Sequence, residues 1–404
     1  MTIDTGNTGF MLLCSSLVML MTPGLAFFYG GLVGRSNTLT IMIQSFASMG
    51  ITTVMWWLVG YSLCFSGGAD GIYGNFHFAF LKGVTPSSMY TPSHIPLVVL
   101  IAYQMMFAII TPALITGAFA ERVSFKAYVL FALLWSTLVY DPIAHWVWGT
   151  GGWLHGLGAL DFAGGTVVHI SSGVSALVAA ILIGRRLKTS EPHDATMTIL
   201  GASLLWFGWF GFNAGSALTA GGLATSAFVV TNTAAAMAGL TWLTVSWIHR
   251  GRPSVLGMAA GAVAGLVAIT PASGFVDVSG SIIIGLGAGV LCYLAMQLRP
   301  RLKVDDALDV WAVHGIGGTW GAIATGLFAT VAINSAGANG LFFGNPQQLL
   351  TQAIAVGATW VYAAVATFVI VKALDLTIGM RVREHEESLG LDASQHGEIA
   401  YQLD

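Results

Sequence analysis

The stretch GGTVVHISSGVSALVAAILIG, residues 164–184, contains no Asp, Glu, Lys or Arg. A helix of about 20 predominantly apolar residues crosses the hydrocarbon core of a bilayer, so this stretch predicts a membrane-spanning helix. His169 lies inside it, and an ionisable side chain within a span is rare and usually functional. A second run, VWAVHGIGG (310–318), places His314 in the same situation. Both histidines therefore mark a candidate site.

The composition of the whole chain agrees with a membrane protein. Of 404 residues, 55% are hydrophobic and only 8% are charged, whereas soluble domains carry about 25% charged residues. This excludes an ordinary soluble domain, and the long runs exclude a β-barrel, whose strands are short and alternating. We predict an all-α polytopic membrane protein. Eleven spans are expected near residues 9–33, 39–66, 95–119, 125–147, 163–184, 196–217, 222–248, 254–271, 275–297, 309–332 and 348–374.

The distribution of basic residues predicts the orientation. Fourteen of the fifteen Lys and Arg residues fall in loops on one side of the predicted bundle, and only Lys82 falls on the other. By the positive-inside rule the fourteen-charge side is cytoplasmic. The chain is therefore expected in the cell membrane (inner or plasma membrane), with its N-terminus outside and its C-terminus inside. Its small net charge of −3 gives no reason to expect a nucleic-acid partner.

A weak internal repeat relates the two histidine segments. TVVHISSGVSALVAAIL and WAVHGIGGTWGAIATGL share Val-His and a glycine four residues later, Gly173 or Gly318. One histidine lies in the fifth predicted helix and the other in the tenth. Because five is odd, the second half would enter the membrane upside down, as in the inverted repeats of many transporters, whose sites lie at the midplane between halves.

This repeat predicts the domain organisation. A transmembrane domain is expected over residues 1–374. Its two inverted five-helix halves cover about 9–190 and 196–332, its extra last helix covers about 348–374, and a cytoplasmic tail covers 375–404.

The two histidines allow more than one chemistry. Adjacent imidazoles can share one proton, one ring donating and the other accepting, and would offer a polar waist to a small solute. Zinc would need further ligands, and no HExxH or CxxC motif occurs. Ser171 and Ser172 follow His169, but a serine hydrolase would need a GxSxG elbow, which is absent. We expect no cofactor, no metal and no enzymatic activity.

Further polar and aromatic residues flank the predicted pore. Trp209, Phe212 and Ser216 are spaced by three and four, so they share one helix face. An aromatic face with a hydroxyl suits a small cation, because cation–π attraction is worth roughly 0.5–2 kcal/mol; the alternative is ordinary packing. Asp161 precedes the fifth helix and would cap it. Asp141 and Asp309, at predicted helix ends, are expected to cap helices or make other polar contacts. The cysteines, Cys14, Cys64 and Cys292, are expected to be apolar core residues.

Six motifs in order resemble the ammonium transporter (Amt/Mep/Rh) family: PGLAFFYGGLV, GAFAERV, DFAGGTVVHI, GWFGFNAGSA, DDALDVWAVHGIGGTWG and GLDASQHGEIAY. The resemblance runs from about residue 9 to the C-terminus. Trp148 and Ser216 favour the Amt branch over the Rh branch. The family plan of eleven helices, with the N-terminus outside and the C-terminus inside, is the one that the charges indicate.

The resemblance implies a role for each candidate residue. Phe107, Trp148 and Ser216 would recruit ammonium at the outer face, and Phe107 and Phe212 would form a stacked gate. Asp161 would support this vestibule. His169 and His314 would be the twin histidines of the pore, and Trp209 would line it more weakly.

The resemblance also implies a function and partners. Ammonium or methylammonium would bind outside and lose its proton, and ammonia would then pass the hydrophobic channel, with or without the proton following. The chain would form homotrimers in the lipid bilayer, and a PII-type signalling protein would bind the cytoplasmic face. The alternative is an ammonium sensor that signals to a cytoplasmic partner with little or no transport. We expect no attached signalling domain, and a tail of about 30 residues is expected to bind a partner but not to form an enzyme.

Overall fold

The computed structural model describes residues 2–68 and 70–402 of the chain. Residues 1, 69, 403 and 404 of the predicted domain ranges lie outside the described residues. Long apolar helices dominate the structure. We label the helices α1 (Thr5–Leu32), α2 (Arg35–Phe65), α3 (Leu97–Ala118), α4 (Phe125–Trp135, Ser136–Tyr140 and Asp141–Trp148 in succession), α5 (Gly165–Ile183), α6 (Ala195–Gly215), α7 (Gly222–Arg250), α8 (Val255–Ile269), α9 (Val278–Leu298), α10 (Trp311–Ile316 and Gly317–Phe328 in succession), α11 (Pro346–Ile378) and α12 (Glu384–Leu389).

The remaining elements are short. The segment between α2 and α3 forms a two-stranded antiparallel sheet, in which β1 (Met89–Tyr90) pairs with β2 (Ile95–Pro96). One-turn helices cover Ala79–Leu81, Trp153–Leu157 and Leu341–Phe343. These pieces connect the long helices and leave the core of the molecule to the bundle.

The apolar helices confirm a membrane protein of the all-α class. Within residues 2–68 and 70–402, nine helices are long and apolar enough to cross a membrane. The helix α8 is apolar but only 15 residues long, and the regular part of α10 covers 12 residues. The eleven predicted spans each overlap one of the labelled helices α1 to α11. The number of eleven actual crossings stays a prediction.

Five of the long helices begin with a capped N-terminus. In each, a side-chain oxygen accepts a hydrogen bond from a backbone N–H three residues later, which satisfies a donor that the helix itself cannot. The capping residues are Asp4, Ser124, Asp194, Ser254 and Asp277. Sequence therefore fixes where these helices start.

Two helix pairs join the N-terminal half of the chain to the C-terminal half. The helix α1 packs along α6, and α5 crosses α10. The helices α7, α8 and α9 pack on one another through small residues; Gly285 of α9 lies against the backbone of Ala234 on α7. Small residues allow helices to approach closely in lipid, where no hydrophobic effect drives them together.

Candidate functional site

The outer end of α5 is organised by Asp161. Its carboxylate accepts backbone N–H groups from Gly164 and Gly165 at 2.7 Å each and from Thr166 at 2.7 Å, and the Thr166 hydroxyl also donates to it. These are the donors that a helix N-terminus leaves unsatisfied. The predicted cap is confirmed. Because the carboxylate accepts these backbone N–H groups, it stabilises the start of α5.

A cavity of about 450 Å³ lies above this cap, and Phe107, Trp148, Asp161 and Ser216 are among its lining residues. The Trp148 indole N–H donates to the Asp161 carbonyl oxygen at 2.9 Å, which fixes the ring at the wall. The edge of Trp148 meets Phe107 with centroids 5.8 Å apart and planes at 86°. The structure thus brings the predicted recruitment residues to one aromatic cavity.

Tyr103 is a buried residue behind Ser216, a lining residue of this cavity, and the sequence reasoning missed it. Its hydroxyl donates to the carbonyl of Phe212 at 2.8 Å and lies 3.3 Å from the Ser216 hydroxyl oxygen. The Ser216 hydroxyl itself donates to the Phe212 carbonyl at 2.9 Å. Because the Ser216 hydroxyl hydrogen is donated to Phe212, the Ser216 oxygen keeps a lone pair that can accept a hydrogen bond from a molecule in the cavity. A tyrosine within α3 gives no sequence signal that separates it from ordinary core.

Directly below the cavity, Phe107 and Phe212 close the path. Their ring centroids are 4.2 Å apart with planes at 39°, and each side chain is 1% exposed. Two rings in contact leave no water-sized channel between them. The two residues of the predicted gate are therefore a buried, contacting pair between the cavity and the histidines.

The two histidines contact each other next to Phe212. The Nδ1 atoms of His169 and His314 are 3.2 Å apart, so one must carry hydrogen and the other must accept it. Trp209 and Phe212 lie on the His169 ring with centroid distances of 5.4 and 6.1 Å. The Trp209 indole N–H is held by the Thr270 hydroxyl at 2.9 Å. The predicted pair is thus a contacting pair with aromatic walls.

A small cavity of about 10 Å³ adjoins both imidazoles, about the space that one water molecule requires. Its other walls are apolar, including Leu25, Ile110 and Val263. Among the described residues, the buried Nε2 of His169 has no hydrogen-bond partner. The cavity beside the imidazoles is therefore small, mostly apolar and lined by both histidines.

Both histidines lie in π-helical turns. His169 falls within Gly165–Ile170 and His314 within Trp311–Ile316. Such turns insert one extra residue per turn, shift the side chains that follow, and often occur at functional sites. The sequence reasoning treated these segments as regular helix. The glycine-rich flanks (GGTVVH and VHGIGG) are the only local signal, and glycine alone does not distinguish a π-helical turn from a tightly packed helix.

Two glycines allow α5 and α10 to cross closely enough for this contact. A Cβ added at Gly173 of α5 would overlap the backbone of Gly315 of α10. A Cβ added at Gly318 of α10 would lie 2.9 Å from the Cβ of His169 on α5. The contacts are reciprocal, because each repeat glycine packs on the other repeat's histidine segment. This explains why the two motifs share Val-His and a glycine four residues later.

On the inner side of the histidines a wider cavity of about 290 Å³ opens, and Phe28, Val313, His314 and Asp309 are among its lining residues. Asp309 forms an ion pair with Arg299 at 2.9 Å, and is therefore the polar contact that the sequence allowed as an alternative to a cap. The cap of α10 is Asp306, which accepts the Trp311 N–H at 2.7 Å. Three cavities thus follow one another along the line of predicted site residues.

Comparison with known proteins identifies the family. A model of the Ammonium Transporter Family matches residues 9–401. The chain belongs to this family. A relative named "Ammonium transporter" from Bacillus subtilis is 53% identical over 400 residues, covering 98% of both chains. "Ammonium transporter Amt1" from Archaeoglobus fulgidus is 51% identical over 400 residues, covering 98% of this chain and 99% of the relative. The predicted resemblance is confirmed.

Solved structures of this family share the fold of this transporter. Mep2 of Candida albicans superposes with a TM-score of 0.91 at 36% identity, covering 99% of this chain and 91% of Mep2. A protein described as "Sensor Amt Protein" superposes with a TM-score of 0.90 at 29% identity, covering 97% of this chain and 98% of its own. The name of this second protein corresponds to the alternative function, ammonium sensing.

Three basic loops of the transporter, those that follow α3, α5 and α9, are joined by an ion-pair cluster that the sequence did not reveal. Arg186 pairs with Glu121 at 2.7 Å and with Asp305 at 2.8 Å, which links three loops. Burial acts to raise the pKa of Asp305, but hydrogen bonds from Arg186 and its charge lower it to about 2. Buried Arg122 donates to the carbonyls of Ala118, Ala120, Gly184 and Asp305. The cluster holds the loops around the inner cavity in one arrangement.

The competing chemistries find no support in the transporter. Across residues 2–68 and 70–402, no group of three or more His, Cys, Asp or Glu side chains is placed to hold a metal ion. The Ser171 and Ser172 hydroxyls donate to the carbonyls of Val167 and Val168 at 2.6 Å, as ordinary helix serines do. All three cysteines are free and buried, as predicted.

Proposed function

We propose that this member of the Ammonium Transporter Family carries ammonium along the line of cavities described above. The cation binds among Phe107, Trp148 and Ser216, where aromatic faces attract it and the Ser216 oxygen accepts one of its hydrogens. Opening of the Phe107–Phe212 gate then gives access to the histidines. The observation that carries this proposal is the succession of aromatic cavity, gate, imidazole pair and inner cavity along one path.

The small size of the cavity beside His169 and His314, and its few polar atoms, support passage of neutral ammonia. An ammonium ion resembles a lysine amine and is almost wholly protonated at neutral pH. Taking such an ion out of water without a counter-charge costs several kcal/mol or more, and among the described residues only imidazole nitrogens offer polar contacts at the waist. We therefore place deprotonation above the histidines, where water in the outer cavity accepts the proton. The Nδ1–Nδ1 contact offers the proton an alternative route, along the imidazoles.

Each site residue has a role that follows from its position along the path. Asp161 holds the outer end of α5 as vestibule support, and Trp209 lines the pore beside His169. His169 and His314 act on the solute through their ring nitrogens and perform no covalent chemistry. The chain is accordingly a transporter or channel and not an enzyme, in line with the names of its relatives.

We further propose the architecture that the sequence predicted. Eleven crossings in two inverted five-helix halves plus α11 are supported by the reciprocal α5–α10 packing and by the contact of α1 with α6. The positive-inside rule supports a cytoplasmic position for the basic loops, the ion-pair cluster and the tail. The transmembrane domain then ends near residue 374, and homotrimers with one pore per subunit are the expected assembly.

The docked tail supports a role in partner binding. Asp392 accepts the backbone N–H groups of Leu39 and Thr40 at 3.0 and 2.7 Å, and Glu387 pairs with Arg381 at 2.8 Å. The tail therefore lies against the N-terminal end of α2, where a cytoplasmic protein would contact both. A PII-type signalling protein is the proposed partner.

Flux measurements distinguish transport from sensing, which the similarity to the sensor protein makes the second candidate. Purified protein in liposomes should produce a saturable uptake of ammonium or methylammonium that protein-free liposomes lack. If the protein binds ammonium but gives neither flux nor current, the sensor function replaces the transport function. A preparation that fails to bind ammonium at all would refute both.

A further inference from the structure

A third histidine, His155, lies outside the predicted set of site residues and lines the outer cavity. It is among the lining residues of the same cavity, of about 450 Å³, as Trp148 and Ser216. It belongs to the one-turn helix Trp153–Leu157, and it is exposed. A cation held at Ser216 therefore shares one cavity with an imidazole.

The turn that carries His155 is held in place on both sides. Leu154, the residue before the histidine, is completely buried. The Trp153 N–H donates to the carbonyl of Gly71 at 3.2 Å, and the side-chain amide of Gln348 donates to the carbonyl of Gly158 at 3.0 Å. The histidine thus stands on a fixed turn at the cavity, although its own side chain is exposed.

The His155 ring is available to a solute in the cavity. Within residues 2–68 and 70–402 it forms no ion pair with a carboxylate. A neutral imidazole has one nitrogen that accepts a hydrogen bond, and a protonated one has none. The carboxylate oxygens of Asp161 already accept hydrogen bonds from the start of α5. Neutral His155 therefore adds an acceptor to that of Ser216.

The other titratable residues in the lining of this cavity are Tyr61, Tyr90 and Asp161. Tyrosine hydroxyls ordinarily titrate near pH 10 and carboxylates near pH 4. Histidine is the side chain that ordinarily changes its charge between pH 5 and pH 8. In this pH range, the charge on the described lining residues therefore changes at His155.

The elements packed against the turn carry three further titratable groups. On α4, Asp141 and His145 are buried and bonded to Cys64 of α2, and they are not among the lining residues. In the loop before Gly71, Asp70 accepts the N–H groups of Ile72 and Tyr73, and these bonds lower its pKa. Asp70 therefore keeps its charge above pH 5.

We propose that His155 sets the pH range in which the outer cavity recruits ammonium. The neutral ring accepts a hydrogen bond from the cation, whereas the protonated ring has lost its acceptor and repels the cation. Acid outside the cell then weakens recruitment before the gate and the twin histidines are reached. This inference rests on the proposed function, because it assumes that ammonium binds in the outer cavity.

The size of the cavity gives the expected magnitude. Two charges within it lie about 8 Å apart, and their repulsion corresponds to about 2-fold in affinity at the dielectric of water and about 30-fold at that of a protein surface. An imidazole with the usual pKa near 6.5 is about 90% protonated at pH 5.5 and about 10% at pH 7.5. The KM of the wild type should therefore be about 2- to 8-fold higher at pH 5.5.

Uptake of methylammonium by cells without other ammonium transporters tests the proposal, because the protein then has one orientation. The substrate, an amine cation, is almost wholly protonated at both pH values, so its supply does not change. His155→Gln, which is always neutral, should give the low KM at both pH values, and His155→Arg, which is always charged, should give the high KM at both. His77→Gln is the matched control, since His77 is an exposed histidine of the α2–α3 segment that does not line the cavity. It should behave as the wild type does.

Three outcomes would overturn the role of His155 and leave transport intact. A pH-dependent KM in His155→Gln equal to that of the wild type would place the titrating group elsewhere. A flat KM in His77→Gln as well would indicate diffuse surface charge. A change confined to the maximal rate would show that His155 acts after recruitment. Wild-type cells without saturable uptake at either pH would instead refute the proposed transport, and this role with it. Size-exclusion elution of each purified variant at the wild-type volume excludes misfolding as the cause.

Discussion

The crossing of α5 and α10 gives the sharpest prediction, because a single methyl group perturbs it. In Gly173→Ala the new Cβ overlaps the backbone N and Cα of Gly315, and backbone cannot rotate away as a side chain can. The two helices must therefore separate. In Gly318→Ala the Cβ lies 2.9 Å from the His169 Cβ and 3.0 Å from the Gly165 carbonyl oxygen, so a smaller shift suffices.

The expected magnitude follows from the histidine contact. An Nδ1–Nδ1 distance of 3.2 Å exceeds hydrogen-bond range after a separation of a few tenths of an ångström. Overpacking costs about 1–3 kcal/mol, and a misplacement of about 1 Å can cost roughly 100-fold in rate. We expect Gly173→Ala to reduce ammonium flux about 10- to 100-fold, and Gly318→Ala to reduce it less.

Ammonium-jump currents in liposomes, normalised to reconstituted protein, measure this series. Gly357→Ala on α11 is the matched control, since a Cβ added there has nothing within 4 Å, and its flux should equal that of the wild type. Alanine favours helix over glycine, so loss of α5 helicity cannot explain a defect in Gly173→Ala. Wild-type flux in a folded Gly173→Ala protein would refute the claim that the close crossing serves the pore.

Three further predictions concern the outer cavity and the loops. Trp148→Leu should reduce discrimination of ammonium from other cations in competition assays, and unchanged selectivity would leave Trp148 as a lipid anchor. Asp161→Ala should lower thermal stability by about 2–4 kcal/mol, because it leaves several buried N–H groups unsatisfied; a melting temperature equal to that of the wild type would contradict the capping role. The pKa of Asp305 is about 2 in the folded protein, against 3.8 when unfolded. The ionised Asp305 therefore stabilises the fold by about 1 kcal/mol after screening. This contribution is complete above pH 3.8 and is lost as the pH falls towards 2. Asp305→Asn should remove this part of the change between pH 5 and pH 2.5 in melting experiments, and an unaltered pH dependence would exclude the Asp305–Arg186 pair as its cause.

The helices could be predicted because their determinants are local. Apolar runs of spanning length placed α1 to α11 to within several residues, and oxygen-bearing caps such as Asp4 and Asp277 mark their starts. The bounds differ by up to four residues at either end: α1 begins at Thr5, α11 continues to Ile378 and α10 stops at Phe328. Hydropathy measures transfer to lipid and carries no information on where a helix ends beyond the hydrocarbon.

The site could be predicted only in part, for a physical reason. His169 and His314 are conspicuous because ionisable residues in lipid are costly, and the repeat predicted that they meet. Tyr103 was missed because a tyrosine in an apolar helix resembles core. The Arg186–Asp305 pair was missed because its partners come from loops more than a hundred residues apart, and ordinary charged loop residues carry no sign of their partner.

The current through purified protein in liposomes tests the central claim most directly, with wild type, His169→Ala and His314→Ala compared under defined ammonium and proton gradients. The account predicts that each replacement changes the size of the ammonium current or its selectivity over other cations, while the oligomer elutes as the wild type does. If both variants conduct ammonium with wild-type rate and selectivity, the solute does not pass the imidazole pair, and the proposed path is wrong.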